Sequence, residues 1–408
     1  MRVLHLLSQK PEATGSGLTV QAVMREGALR GHINYLLAGV SVGERPLLHS
    51  QGELCCTYVE FESPGLPFKV AGMSDVMPYP STRFCDLTGE QMTLYEECFR
   101  DKLNSAVSEF QPDLIHANHL WIITSLARRA LPDIPVVATS HGTDVRQFHL
   151  CPQHRERVLS GCKGLEAVMV LHNSQREEVQ ALYGIARERL HVTGTGYDER
   201  LFSPGKKESG EVQVVYGGKL SRAKGVMPLL EAAALLTDLP WHLHLAGGGA
   251  GPEKDEIVER AMVMGGRVTL HGPLPQHELA QLMARSHIFV LPSFYEGFPL
   301  VLIEALASGC SLVSTDLPAL KELFPGDAPP SLEAIALPPM KGGPDTPDEG
   351  ALPAFVEALS QALRKQITRR IKETELPAEH FRPFVKGFTW KQVFERIERV
   401  YFLALKKG

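Results

Sequence analysis

Short apolar runs rich in Val, Ile and Leu alternate with longer segments of helical periodicity along nearly the whole chain. This alternation is typical of parallel sheets that are covered by helices on both faces, so we predict an α/β fold. In the first half the predicted strands are 3–7, 35–39, 114–117, 136–140 and 167–172, and the predicted helices include 18–30 and 91–110.

The same alternation starts again after the Ser-, Pro- and Gly-containing segment 202–210, which is typical of an interdomain linker. Its predicted strands are 212–216, 242–246, 267–271, 288–291 and 312–314, and its predicted helices are 226–236, 253–264, 277–285 and 299–307. We therefore predict two Rossmann-like, doubly wound parallel-sheet domains, at residues 1–203 and 204–388. Ligands of such sheets bind at the carboxyl ends of the strands, so we expect the two domains to face one ligand cleft.

Composition narrows the class of protein. The 408 residues exceed what one core usually serves, and the chain is 44% hydrophobic and 22% charged, as soluble globular proteins are. No run approaches the roughly 18 apolar residues of a membrane span, and the first residues resemble a strand, which favours a cytoplasmic location. The net charge of −5 disfavours nucleic acid as a partner.

Two local features leave questions open. Basic residues near the C-terminus could favour contact with the anionic inner face of a membrane, although a solvated helical face is favoured: Arg364, Lys365, Arg369, Arg370, Lys372, Lys406 and Lys407. Seven cysteines form no regular framework, so we expect reduced thiols and no disulfide bond.

The most informative segment runs from Glu296 through Gly297, Phe298, Pro299, Leu300 and Val301 to Glu304. It follows a predicted strand and opens a helix, whose free amides and dipole are suited to an anion such as a diphosphate. The two glutamates would be roughly 12 Å apart at the helical rise, too far for a glycosidase pair but suited to hydroxyl groups on either side of a diphosphate.

A second segment, Gly217-Gly218-Lys219-Leu220-Ser221-Arg222-Ala223-Lys224-Gly225, lies directly after a predicted strand. Its glycines permit close approach of a ligand, and Lys219 and Lys224 supply positive charge. It is not a phosphate-binding Walker loop, because Lys219 precedes Leu and the glycine spacing differs. Solvated lysines at a simple turn remain the alternative.

His141 ends the predicted strand 136–140 and can donate a hydrogen bond to a sugar hydroxyl. A Ser/His hydrolase is rejected because Ser140 and His141 are neighbours on a strand and point to opposite faces. The cluster His141, His149, Cys151, His154 and Cys162 matches no standard zinc spacing, so we predict no metal site.

Glycines also follow other strands. Gly15 and Gly17 lie in a loop between the first strand and a helix, where a phosphate could approach, but Val20 occupies the place of the third glycine of a dinucleotide fingerprint, so NAD is not expected. Gly247 and the segment before Leu274 occupy equivalent strand ends. A tight turn without a ligand is an equal alternative for both.

Taken in order, the glycine loop, His141-Gly142-Thr143-Asp144, the turn with Lys219 and Lys224, and the Glu296/Glu304 helix resemble glycosyltransferase family 4. The resemblance spans nearly the whole chain and implies the GT-B fold. It also implies that the final helix, within residues 389–408, packs back onto the first domain. Gly196-Tyr197-Asp198 is similar to the family's segment at the domain junction.

The resemblance implies a role for each residue. Glu296 would hold donor-sugar hydroxyls, Glu304 the ribose, and Lys219 and Lys224 the diphosphate. The amides of Leu300 and Val301 would complete the anion site, with Gly297, Phe298 and Pro299 in the same donor-binding segment. His141 would contact the donor sugar, Gly15 and Gly17 would close over phosphate or acceptor, Gly247 would line the donor site, and the backbone near Leu274 would meet the base.

The implied reaction is the retaining transfer of a hexosyl group from a nucleotide-diphosphate sugar, UDP- or GDP-linked, to a hydroxyl of a glycan, a lipid-linked or a small-molecule acceptor. No metal or other cofactor is expected, since the cationic residues can stabilise the leaving diphosphate. Lys219 and Thr195 depart from the arginine and asparagine usual in the family. The alternatives are a catalytically silent nucleotide-sugar-binding protein and a sugar-nucleotide epimerase or phosphorylase on the same architecture. The sequence does not indicate the base, the sugar, the acceptor or the oligomeric state.

Overall fold

A computed structural model describes residues 1–12, 14–46, 48, 55–74, 77–343, 345–373 and 375–406. The chain forms two compact units, one of Met1–Gly196 with Trp390–Gly408 and the other of Tyr197–Thr389. The division falls before Tyr197 rather than at 203/204. Tyr197 pairs with Thr389, and Phe202 is buried in an apolar cluster of the second unit, so 197–203 belongs to that unit.

The first unit is built on a sheet whose strands all pair in parallel, in the order β3-β2-β1-β6-β7-β8-β9, with a small pair β4-β5. Its strands are β1 (Arg2–Leu7), β2 (Ile33–Ser41), β3 (Cys55–Phe61), β4 (Ala71–Gly72), β5 (Thr82–Arg83), β6 (Leu114–Asn118), β7 (Val136–Thr139), β8 (Ala167–Val170) and β9 (Leu190–Val192). Its first helices are α1 (Gly15–Leu29), α2 (Gly89–Phe110), α3 (Ile122–Ala130), α4 (Thr143–Leu150), α5 (Arg155–Cys162) and α6 (Asn173–Tyr183).

The second unit has a parallel sheet in the order β12-β11-β10-β13-β14-β15. Its strands are β10 (Val212–Gly217), β11 (Trp241–Ala246), β12 (Val268–Gly272), β13 (Ile288–Leu291), β14 (Ser311–Thr315) and β15 (Leu332–Ile335). Its helices are α7 (Val226–Ala234), α8 (Pro252–Val263), α9 (Gln276–Arg285), α10 (Leu300–Ala307), α11 (Pro318–Leu323), α12 (Leu352–Lys372) and α13 (Arg382–Val385). The prediction of two doubly wound parallel-sheet domains is confirmed.

Short 3-10 helices connect some of these elements. They are Phe84–Asp86, Pro152–His154, Arg187–Arg189, Arg222–Lys224, Gly265–Arg267, Glu349–Ala351, Ala378–His380 and Lys386–Phe388. The first helix begins earlier than predicted, because Thr14 is its N-cap and accepts a hydrogen bond from the amide of Gly17. Gly15 and Gly17 therefore lie in the first helical turn and not in a loop.

The final helix, α14 (Trp390–Leu405), belongs to the first unit. Its apolar face packs on that unit's sheet and on α1, and Phe394 is 1% exposed there. Tyr401 adds a polar contact, because its hydroxyl lies 2.7 Å from Nδ1 of His116 on β6. The last two residues of the predicted 389–408 segment lie outside the described residues.

The expectation that all cysteines are reduced is wrong, because Cys85 and Cys151 form a disulfide bond. The bond connects the 3-10 helix before α2 with the residue that directly follows α4. The two residues are 66 positions apart, so only the fold brings them together. Cys55, Cys56, Cys98, Cys162 and Cys310 are free.

Three basic residues of α12 lie in ion pairs, and a fourth, Arg370, is buried. Arg364 lies 2.7 Å from a carboxylate oxygen of Asp238, Lys365 lies 2.8 Å from Glu333, and Arg369 lies 3.4 Å from Glu373. Such pairs at the protein surface contribute little stability, but they reduce the positive field that a membrane would meet. The prediction of a solvated helical face therefore holds for Arg364, Lys365 and Arg369, whereas Arg370 points into the second unit's interior. Lys407 lies outside the described residues. No helix in the described ranges has both the length and the apolar character needed to cross a membrane.

Candidate functional site

In the second unit, the turn after β10 packs against the loop after β13. The amide of Phe294 donates to the carbonyl of Ala223 at 3.0 Å. Gly225 has φ +65°, and a Cβ atom there would collide with the carbonyl of Pro292, so this position requires glycine. Lys224 is consequently held beside the loop that leads into α10.

Lys224, Ser293 and Glu296 form one hydrogen-bonded group. The Nζ atom of Lys224 and the Oγ atom of Ser293 each lie 2.7 Å from Oε1 of Glu296. The side chains of Lys224 and Glu296 are 26% and 18% exposed, so the pair is partly desolvated yet reachable. Both bonds use Oε1, and no hydrogen bond among the described residues uses Oε2 of Glu296, so this oxygen can accept one from a ligand hydroxyl.

The N-terminus of α10 follows Pro299, as the sequence predicts, but one of its donors is already used. The amide of Leu300 donates to the carbonyl of Phe298 at 2.9 Å. Among the described residues no such backbone bond is formed by the Val301 amide. Of the two amides predicted to bind an anion, Val301 is therefore the better placed.

Glu304 lies within α10 and is 8% exposed. Its burial raises the pKa of the carboxyl group to about 7, and a 3.4 Å contact from Nε2 of Gln276 opposes this shift. Gln276 is the first residue of α9 and follows Leu274 by two positions. The structure thus links Glu304 to the loop predicted to meet the base.

The other predicted residues of this unit lie at the same sheet edge with fewer contacts. Lys219 is exposed, and its carbonyl accepts a 2.6 Å hydrogen bond from the hydroxyl of Tyr216. A Cβ atom on Gly247 would collide with the carbonyl of Gly218, so Gly247 lets two strand ends approach each other. Four partly buried apolar residues of the predicted site pack on one apolar cluster of this unit: Leu274, Phe298, Leu300 and Val301.

In the first unit, His141 follows β7 and is partly exposed. Its Nε2 atom lies 3.0 Å from Oδ1 of Asn118, and its ring centroid lies 4.8 Å from that of His119. Desolvation of the ring, reinforced by His119 and opposed by Asp144, lowers the pKa of His141 to about 3. His141 is therefore neutral at physiological pH.

A buried carboxylate holds the two strand ends around His141. Asp144 is 0% exposed, accepts a 3.0 Å hydrogen bond from Ser140 Oγ, and accepts one of 2.8 Å from the amide of Leu120. The Ser140 hydroxyl is thus directed to Asp144, in agreement with the rejection of a Ser/His hydrolase.

The two N-terminal glycines differ in their surroundings. A Cβ atom on Gly17 would collide with the carbonyl of Pro11, whereas nothing lies within 4 Å of the equivalent position on Gly15. Gly17 is required by close packing of the chain. Gly15 is open and could be approached by a ligand.

The histidine and cysteine cluster of the first unit is used in other ways. Cys151 is in the disulfide bond, and Nε2 of His154 lies 3.0 Å from the carbonyl of Phe84. Within the described ranges, no three His, Cys, Asp or Glu side chains are grouped so that they could hold a metal ion.

Comparison with known proteins identifies the family. Residues 89–201 match the model described as Glycosyltransferase Family 4, and residues 211–335 match that described as Glycosyl transferases group 1. The first match contains His141, and the second contains Lys219, Lys224, Glu296 and Glu304. The chain belongs to glycosyltransferase family 4.

Two curated relatives show the range of similarity to this chain. It is 27% identical over 327 residues to D-inositol 3-phosphate glycosyltransferase 1 of Catenulispora acidiphila, covering 72% of this chain and 73% of the relative. It is 27% identical over 233 residues to glycogen synthase of Mycobacterium tuberculosis, covering 52% and 54%. The chain thus spans little more than half the length of the first curated relatives that it matches.

Solved structures show the same fold. Anabaena HepE in complex with UDP superposes with a TM-score of 0.67 at 16% identity, over 98% of this chain and 100% of that chain. At this identity the match shows the fold alone, which is the GT-B arrangement of two parallel-sheet domains that the family resemblance implied.

Sequence reasoning missed three residues of the candidate site. Ser293, Asn118 and Gln276 each contact a predicted residue, but each is a single polar residue outside the motifs used. Asn118 carried the clearest signal, because it lies at the end of a buried run, 114–118, where a polar side chain is unusual.

Proposed function

We propose that this glycosyltransferase transfers a hexosyl group from a nucleotide-diphosphate sugar to an acceptor hydroxyl, with retention of the anomeric configuration and without a metal ion. The observation that supports the proposal is the Lys224–Ser293–Glu296 group beside the N-terminus of α10. It combines a cation for a phosphate with a carboxylate oxygen for a sugar hydroxyl.

The chemistry follows from these charges. The bond between the anomeric carbon and the diphosphate oxygen breaks, and negative charge accumulates on the leaving diphosphate. Lys224, the Val301 amide and the α10 dipole would stabilise that charge, with Lys219 as a further cation. The acceptor oxygen bonds to the anomeric carbon from the face that the diphosphate leaves, and its proton passes to the departing phosphate.

Structures that share the fold were solved with different nucleotides. HepE was solved with UDP and with UDP-glucose, whereas Arabidopsis starch synthase IV was solved with ADP, so the base is decided by the panel below. The acceptor class stays open, because one relative is named for an inositol phosphate and another for glycogen. Glu304 would hold the ribose, and the backbone near Leu274 would meet the base.

A thermal-shift panel of UDP-, GDP- and ADP-sugars and the free nucleotides tests the donor site. We expect stabilisation by one nucleotide series, reduced in Glu304→Ala and Lys224→Ala. Glu259→Ala and Lys206→Ala are matched controls, since both residues are exposed in the same unit. If no nucleotide stabilises the wild type at millimolar concentration, the proposed function fails.

Catalysis needs a second measurement. Proton NMR of the product formed from an α-linked donor should show an α linkage, and activity should survive EDTA. Binding of a nucleotide sugar without transfer or hydrolysis would identify a silent binding protein. A β product would exclude retention, and loss of activity in EDTA that Mg²⁺ or Mn²⁺ restores would exclude metal independence.

A further inference from the structure

Asn118 and His141 lie side by side because neighbouring parallel strands end together. Asn118 is the last residue of β6 and pairs with Thr139 of β7, two residues before His141. Asn118 is 1% exposed, and its Oδ1 atom lies 3.0 Å from Nε2 of His141. The histidine therefore has one ring nitrogen committed to a buried partner.

The orientation of the Asn118 amide is fixed from its other side. Its Nδ2 atom donates to the backbone carbonyl of Leu6 on β1 at 3.3 Å. A carbonyl oxygen can only accept a hydrogen bond, so the reversed amide would place two acceptors against each other. Oδ1 must face His141, and because Oδ1 also only accepts, Nε2 of His141 must carry the proton.

The protonation state of the other ring nitrogen of His141, Nδ1, is then determined. The ring is neutral, since its desolvation and the neighbouring His119 lower the pKa of His141 to about 3. A neutral imidazole has one N–H group, so Nδ1 has a free lone pair. Nδ1 has no hydrogen-bond partner among the described residues and is not one of the buried atoms, which leaves it accessible to a ligand.

We propose that Asn118 is a positioning residue that fixes His141 in the Nε2–H tautomer, so that Nδ1 accepts a hydrogen bond from a hydroxyl group of the transferred sugar. The direction is the opposite of the one expected from the sequence, in which His141 donates. The identity of the ligand rests on the proposed function, whereas the tautomer rests on contacts within the first unit alone.

The proposal has a chemical consequence for donor selection. A hydroxyl can donate to Nδ1, but a hydrogen atom or a fluorine atom in its place cannot. If His141 were instead a donor, a fluorine would retain part of the interaction. Nucleotide sugars with a deoxy or a deoxyfluoro substitution should therefore bind equally weakly when the change is at one position of the ring.

The tautomer can be measured without activity. In protein labelled with ¹⁵N-histidine, the His141 signals are those lost in His141→Gln, and their shifts and one-bond couplings show which nitrogen is protonated. We expect Nε2–H in the wild type and in the control Asn104→Ala, an exposed asparagine of α2. Asn118→Ala should give a mixture of tautomers. An Nδ1–H form in the wild type, or an unchanged tautomer in Asn118→Ala, would overturn the proposal.

Donor selection is measured with a panel of monodeoxy and monodeoxyfluoro analogues of the active nucleotide sugar. At one position both analogues should weaken donor binding, measured as Kd by calorimetric titration, about tenfold, the equivalent of one hydrogen bond, and this penalty should disappear in His141→Ala. It should shrink in Asn118→Ala and persist in Asn104→Ala. A penalty that persists in His141→Ala, or one that fluorine relieves, contradicts the proposal.

A failure of the proposed function and a failure of the Asn118 proposal give different results. If no nucleotide sugar binds, the proposed function is lost while the NMR result still decides the tautomer. If transfer is observed but the tautomer is Nδ1–H, the function stands and the role of Asn118 is wrong.

Discussion

The Nζ atom of Lys224 lies 2.7 Å from Oε1 of Glu296, although 72 positions separate the two residues. The contact depends on the glycine at 225 and on the bond between Phe294 and Ala223, which hold two loops together. The cation and the carboxylate therefore orient each other and partly neutralise each other's charge.

Because Lys224 and Glu296 are in contact, we expect the kinetic effects of mutating them to be non-additive. Lys224→Ala should lower kcat about 10²- to 10³-fold, because a preorganised charge at the leaving group is lost. Glu296→Ala should also lower kcat/KM, and the double mutant should lose less than the product of the two effects. Strict additivity in the kinetic double-mutant cycle would show that the two residues act independently.

Glu304 predicts a pH dependence of donor binding. Burial raises the pKa of its carboxyl to about 7, so the group is largely protonated below that pH and charged above it. If the ribose hydroxyls bind the carboxylate, affinity rises as pH rises through 7 and is about tenfold weaker one unit below the pKa than well above it. Calorimetric titration with a nucleotide-diphosphate sugar avoids the terminal phosphate ionisation of a free nucleotide.

The control for this experiment is Glu304→Gln, which keeps the shape of the side chain without the charge. Its affinity should be weaker than that of the wild type at high pH and should not change between about pH 6 and 8. A wild-type affinity that is constant over the same range would contradict the assignment.

Buried histidines predict acid sensitivity of the first unit. Burial lowers the pKa of His5 and of His119 to about 4, against 6.5 in the unfolded chain. The unfolded state takes up these protons first, so stability is full above pH 6.5 and falls as pH decreases from 6.5 to 4, by up to about 1.4 kcal/mol per unit for each histidine. Urea unfolding at several pH values measures this slope.

In a Trp241→Phe background, tryptophan fluorescence reports the unfolding of the first unit alone, because the two remaining tryptophans, Trp121 and Trp390, both belong to that unit. His119→Asn should reduce the slope, and asparagine tolerates the φ of +74° at this position. His149→Gln, at an exposed histidine, is the neutral control. Equal stability at about pH 7 and pH 5 would count against buried neutral histidines.

Helix α14 predicts a contrast between two phenylalanines. Phe394 is 1% exposed against the sheet, whereas Phe402 is 50% exposed on the same helix. Phe394→Ala should lower the free energy of unfolding of the first unit by about 3–5 kcal/mol. Phe402→Ala should change it by less than about 0.5 kcal/mol. Similar effects from the two substitutions would show that α14 does not pack as described.

The disulfide bond between Cys85 and Cys151 determines how many cysteine thiols can react before reduction. Under denaturing conditions without reductant, five of the seven cysteines should react with Ellman's reagent, and all seven should react after reduction. Cys85→Ser releases the thiol of Cys151 and should gain one reactive group. Seven reactive thiols in unreduced protein, purified without reductant, would mean that Cys85 and Cys151 do not pair.

The sequence predicted the central strands of both sheets, because buried strands are continuous apolar runs with clear ends. It missed β3, β9 and β15, which lie at sheet edges and mix exposed with buried positions, as in Cys55–Phe61. It also began α1 three residues late. Glycines 15 and 17 are poor helix formers, and the side chain of Thr14 compensates by capping the helix.

The sequence predicted those residues of the candidate site that belong to recognisable motifs. Lys224 and Glu296 were found from separate segments, and the fold brings them into contact. Ser293 and Asn118 could not be assigned, since one polar side chain acquires a role only from the atom that it faces. The partners of Cys85 and Cys151 were equally unreadable, because connectivity is decided by the fold and not by spacing.

The first unit is made of two separate stretches of chain, and its closing helix follows the whole of the second unit. During synthesis, residues 1–196 leave the ribosome while Val3 and Leu114 still lack the helix that covers them. The second unit is continuous and can complete its core earlier. The unit that is translated second can therefore complete its core first, and the face of the earlier sheet that α14 covers stays exposed until that helix is made.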